Sequence, residues 1–121
     1  MTHGRLPDEF RHRTKKFASR VIRLFVSLPK QREEVLVLGR QLLRSGTSVA
    51  SHVREASRAR SAAEFISKLG GAIQEADETN LWLELLREDC GIEAQSTVPI
   101  ETEANELIAI MTTMINRTRD H

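Results

Sequence analysis

The side chains that most readily do chemistry are few in this chain and poorly arranged for it. Helical bundles that hold two metals use paired Glu-x-x-His motifs on inward faces. The nearest match is the reversed His52-x-x-Glu55, and it occurs once. His3, His12 and His121 lie toward the two ends of the sequence without ligand spacing to one another. Glu75, Asp77 and Glu78 form an acidic cluster, but neighbouring positions on a helix point in different directions. The sequence has no nucleophile elbow, phosphate-cradling glycine loop or Cys–His pairing. These absences predict a protein that is not an enzyme and that uses neither a metal nor a cofactor.

What the residues do offer is electrostatic. Residues 1–32 carry nine Lys and Arg against two acids, a local +7, and residues 33–60 carry five against three, or +2. Residues 61–121 carry four against twelve, or −8, so the formal total of +1 hides a strongly dipolar chain. Such asymmetry suits either a polyanion partner or head-to-tail self-association. At helical spacing Arg40, Arg44, Arg54 and Arg58 fall within about 80° of one another, along roughly 27 Å of helix. Arg13, Lys16, Arg20 and Arg23 form a second row nearer the start. Rows of this kind predict salt-sensitive, sequence-tolerant contact with the backbone of RNA or DNA. The plainer alternative is that a charged outer face is what soluble helices present. With only Trp82 and Phe residues already claimed by the core, no stacking platform for single strands is evident.

The elements that must carry these rows are helices. Pro is scarce and Tyr absent, while Leu, Ala, Glu and Arg abound, and 121 residues suffice for one modest core. Apolar periodicity predicts helices over 8–27, 31–57, 61–90 and 100–118 in one domain. The first places Phe10, Phe17, Val21, Leu24 and Leu28 on one stripe and is closed by Pro29. Ser61 with Glu64 three residues on reads as a capping box opening the third. Gly91 reads as its C-terminal glycine, residues 92–99 as a loop, and Ile100 or Glu101 as the start of the last helix. Four helices with mostly short links predict an all-α, antiparallel up-down-up-down four-helix bundle. Mid-helix Gly70 and Gly71 predict close approach of a neighbouring helix at their level. Trp82 reads as a core or seam anchor whose indole N–H needs an acceptor.

Three apolar residues fall outside the first stripe. Ile22, Phe25 and Val26 widen the apolar arc beyond what a monomeric bundle needs, which predicts a subunit interface there, although scattered surface apolar residues are also ordinary. Lone Cys90 has no partner for an internal disulfide, which suits a reducing cytoplasm, and reads as a small residue near a helix end. No secretory signal follows Met1, and no window approaches the eighteen apolar residues of a membrane span.

Residues 40–88 carry a resemblance. Gln41, Leu42, Arg44, Ser48, Val49, Val53 and Glu55 follow one helical pattern, and Glu64, Phe65, Ile66, Lys68 and Leu69 follow a second. Glu75, Ala76, Glu78, Thr79, Trp82, Leu83, Glu84, Leu85 and Leu86 make a third, longer run. Together they resemble the bacterial four-helix-bundle family typified by proteins encoded in intervening sequences of 23S ribosomal RNA genes. This chain departs at His52-Val53-Arg54-Glu55-Ala56, where the family pattern reads Asn-Ile-Ala-Glu-Gly. The resemblance implies an antiparallel bundle that assembles as a ring-like homopentamer. Related bundles are accessory proteins of diversity-generating retroelements, which implies RNA or DNA and a reverse transcriptase as possible partners. Glu55, Glu75 and Glu78 are expected to face Arg44 or Lys68 where helices meet.

Overall fold

Four amphipathic segments become four helices because each has one apolar stripe and no internal breaker strong enough to stop it. The computed structural model describes residues 6–120. His3 and His121 therefore lie outside the described residues. The elements are α1 (Asp8–Ser27), α2 (Glu33–Ala56), α3 (Ala62–Glu88) and α4 (Ala94–Arg119). Neighbours in sequence are neighbours in space: α1 packs on α2, α2 on α3 and α3 on α4. α4 meets α1 less extensively to close the ring, and the diagonal pairs stay apart. The arrangement is an all-α antiparallel four-helix bundle.

The helix ends follow from local chemistry. Leu28 turns extended ahead of Pro29 and ends α1. Ser61 caps α3 by accepting the Glu64 amide at 3.0 Å. The Glu64 carboxylate reaches back to the Arg60 amide at 2.8 Å, so two orphan donors are satisfied together. Gly91 adopts φ +74, the left-handed turn that lets the chain leave α3.

The last helix corrects the expected loop over residues 92–99. α4 begins at Ala94 and runs through Pro99. Proline read in sequence marks a boundary, but here it removes only one hydrogen bond near the helix start. Packing outweighs that loss, since Thr97 and Ile100 are both buried against the bundle.

Two contacts set the register between helices. A Cβ on Gly46 would lie 2.7 Å from one Val21 methyl and 2.8 Å from the other, so α1 and α2 approach where α2 has no side chain. At Gly39 the same seam continues against Leu28 and Phe25. Between α2 and α3, the buried hydroxyls of Ser45 and Thr79 share a 2.8 Å hydrogen bond. Thr79 also donates to the Glu75 carbonyl, so this polar pair is satisfied inside the core.

The mid-helix glycines divide. Gly71 has the His52 ring 3.3 Å from where its Cβ would stand, as close approach predicts. Gly70 has nothing within 4 Å, so no neighbouring helix accounts for it. Gly70→Ala is therefore expected to stabilise the fold by about 0.5–1 kcal/mol, the helix-propensity gain. Gly46→Ala should destabilise it by about 1–3 kcal/mol, because buried Val21 must move. Urea unfolding of the two variants beside wild type checks both signs.

Candidate nucleic-acid interface

Antiparallel packing decides which cations meet. The Val21–Gly46 contact places the start of α1 beside the end of α2. Arg11 and Lys15, one turn apart on α1, come alongside Arg54 in the last turn of α2 and Arg58 in the turn that follows it, beyond the helix end the sequence suggested. With Ala50, Ser51 and Glu55 they line an open groove of about 450 Å³. Lys15, Arg54 and Arg58 are exposed and make no ion pair among the described residues. Arg11 pairs with Asp8 at 2.6 Å, yet its buried Nε has no acceptor. Four cations thus face one carboxylate, Glu55, which Lys68 already engages, and an anion would neutralise the excess.

The predicted α2 row is only partly free. Arg40, Arg54 and Arg58 are exposed and make no ion pair among the described residues, whereas Arg44 reaches across to Glu78 on α3 at 3.6 Å. The predicted α1 row faces elsewhere. Arg13 is drawn to α4, where its guanidinium donates to Glu103 at 2.7 and 2.9 Å and to Glu106 at 2.7 Å. Arg20 lies close enough to Glu103 to favour its ionised form. Lys16 and Arg23 are exposed and make no ion pair among the described residues. The two rows therefore do not merge into one surface, because the α1 row follows the α4 seam. Arg11 and Lys15 were absent from the sequence-based rows because their relevance appears only once α2 lies beside them.

Carboxylates organise the other seams. Lys68 reaches Glu55 at 3.3 Å and holds its carboxyl below the ordinary value, with His52 adding a smaller effect. Glu78 meets Arg44 as expected, but Glu75 lies beside His52, at 3.9 Å, rather than beside Arg44 or Lys68. On α3 and α4, Arg87 donates to Glu101 at 3.0 Å, and Asn80 donates to Asn105 at 2.9 Å. Asp77, Glu84 and Leu81 border a groove between these two helices, so the bundle has an acidic side opposite its basic one. Trp82 is half-buried against the core as expected, but its buried indole N–H finds no acceptor. Cys90 is buried, and its carbonyl accepts a hydrogen bond from Arg32 at 2.8 Å.

The apolar residues of α1 also separate. Ile22 is 44% and Val26 69% exposed. Phe25 instead packs within its own chain, half-buried against Gly39, with the Lys30 ammonium 4.8 Å from its ring centre. Among the described residues, no group of three His, Cys, Asp or Glu side chains could hold a metal ion. No helix among them is long and apolar enough to cross a membrane.

Fold and seams define the class, an antiparallel four-helix bundle with a basic groove at one end. The chain belongs to the 23S rRNA-intervening sequence protein family, whose model matches residues 9–113. It is similar to a protein of unknown function from the S23 ribosomal protein family of Bacteroides thetaiotaomicron VPI-5482, solved by crystallography. The two share 35% identity over 88% of this chain and 97% of that one, with a TM-score of 0.81. No curated protein matches the chain.

The Arg13–Glu103 contact makes a pH prediction. Arg13 holds the Glu103 carboxyl below its ordinary value of 4.5. Stability from this pair is full above that value and is lost as pH falls through the lower, folded-state one. Glu103→Gln should cost about 1 kcal/mol at neutral pH. Denaturant unfolding across pH should show variant and wild type converging in acid.

Proposed function

We propose that this protein is a non-enzymatic helical bundle that binds nucleic-acid backbone, alone or within a nucleoprotein partner. The observation that carries this reading is the groove where Lys15, Arg54 and Arg58 converge with no ion pair among the described residues, its one lining carboxylate, Glu55, being held by Lys68. A soluble helix face ordinarily intersperses its charges, and the seams elsewhere in this bundle are paired. Cations left unpaired together suit a ligand that brings its own negative charges. Phosphate contact of this kind gives affinity that falls steeply with salt and little dependence on sequence.

The double variant Lys15→Glu/Arg54→Glu tests this directly. Wild type should bind short RNA or DNA at about 50 mM salt and lose most of that affinity by about 200 mM. The double variant should lose binding by tenfold or more while keeping its helical circular dichroism. A wild-type protein that binds neither nucleic acid at low salt would remove the reading.

A second reading concerns assembly. Ile22 and Val26 leave an apolar patch on α1, and the basic and acidic sides are complementary in charge. Both features suit a homo-oligomer, and the family resemblance favours a ring-like pentamer. In that reading the module is structural, and a reverse transcriptase is one possible protein partner. Val26→Glu should shift sedimentation toward the monomer; an unchanged profile would separate Val26 from any interface.

A further inference from the structure

The acidic side of the bundle carries a groove of its own. α3 contributes Asp77, Asn80, Leu81 and Glu84, which share one stripe of the helix, and α4 contributes Glu101 and Asn105, one turn apart. Together they line an open groove of about 390 Å³. Its polar walls are three carboxylates and two amides, with no cation among the lining residues. Asp77 and Glu84 are exposed and make no ion pair among the described residues. Glu101 accepts hydrogen bonds from Arg87 at 3.3 and 3.0 Å, and Arg87 also meets Glu88 at 3.5 Å. Arg87 lies near enough to Glu84 to feel its charge as well. One guanidinium is thus shared among several carboxylates, and the groove stays negative.

An independent observation comes from the wall where the two helices meet. Asn80 is only 8% exposed. Its Nδ2 donates to Asn105 at 2.9 Å, but its buried Oδ1 accepts no hydrogen bond. Buried acceptors of this kind are seldom left without a donor. The neighbouring Thr79 hydroxyl, by contrast, bonds to both Ser45 and the Glu75 carbonyl. Asn80 therefore adds an unmet acceptor to a groove whose two free carboxylates also lack donors.

The chemistry of the missing donor is narrow. A metal ion is not what these groups gather around, since no three carboxylates converge as ligands among the described residues. An ammonium is a compact, strongly hydrated point charge, whereas a guanidinium is weakly hydrated and carries five N–H donors in a planar fork. The same seam already seats one guanidinium, that of Arg87, on both oxygens of Glu101. Leu81, 45% exposed beside the groove, offers apolar surface to the methylenes behind such a group.

We infer that the α3–α4 groove is a binding site for an arginine side chain presented by a partner protein. Asp77 and Glu84 balance its charge, its N–H groups supply the donor that Asn80 Oδ1 lacks, and its alkyl stem covers Leu81. The groove lies on the side opposite the basic one, so this assignment is independent of the backbone-binding reading above.

Nuclear magnetic resonance of the isotope-labelled protein, titrated with the capped peptide Ala-Ala-Arg-Ala-Ala and its lysine and citrulline counterparts, tests this. The arginine peptide should move the side-chain amide signals of Asn80 and Asn105. It should bind about fivefold tighter than the lysine peptide, and the uncharged citrulline peptide should not bind. The double variant Asp77→Asn/Glu84→Gln should weaken arginine-peptide binding by about tenfold. Asn80→Leu, with both carboxylates intact, should remove the preference for arginine over lysine. An arginine peptide that leaves the Asn80 and Asn105 signals unmoved would overturn the assignment. Equal binding of the lysine peptide to wild type would also overturn it, by reducing the groove to an acidic surface. Signals that move with the protein's own concentration and not with the peptide would overturn it in favour of a second copy of this chain.

Discussion

The close approach of α1 to α2 at Gly46 is the constraint from which the rest of this bundle follows. A side chain at that position would collide with buried Val21. The missing Cβ lets the two helices share one tight level and holds their relative register, because a helix slid by one turn would present a different residue there. With α1 and α2 held, the Ser45–Thr79 hydrogen bond does the same for α3. A buried hydroxyl pair of this kind is satisfied in one register only, and leaving either partner unpaired in the core is unfavourable. α2 is therefore the central element: one edge reads α1 by shape and the other reads α3 by polarity.

Charge is arranged around that frame in two ways. Where helices need help to stay together, opposite charges meet. The thin α1–α4 seam carries Arg13 between Glu103 and Glu106, and the α3–α4 seam carries Arg87 on Glu101. At the end of α2, by contrast, Lys15, Arg54 and Arg58 outnumber Glu55, which is engaged by Lys68. Family membership transfers the fold and leaves that surface to be read from its own residues.

The Glu75–Leu86 run is the most specific stretch of the sequence, yet it holds scaffold. Its residues supply Thr79 to the core, Glu78 to the Arg44 pair and Trp82 to the side of the core. His52, in the segment where this chain departs from the family pattern, takes up its own structural role. It occupies the space over Gly71 and stands between Glu55 and Glu75. The glycine of the family pattern is replaced by Ala56, which ends α2 as a buried residue.

Period and punctuation alone determined the four helices, their antiparallel order and most of the core, because amphipathic stripes and caps are local properties of the chain. The exception at residues 94–99 shows the limit of local signals. Pro99 looks like a boundary until the burial of Thr97 and Ile100 is known. The candidate surface was only half legible. Arg54 and Arg58 stand out on one helix by spacing, but Arg13 and Arg44 look equally free in sequence and are tied to carboxylates in space. Arg11 and Lys15 join the groove only because Gly46 lets α1 lie close beside α2. Spacing shows which cations share a helix face. Only tertiary packing decides which of them face a carboxylate and which face one another, since both outcomes depend on the helix lying next door.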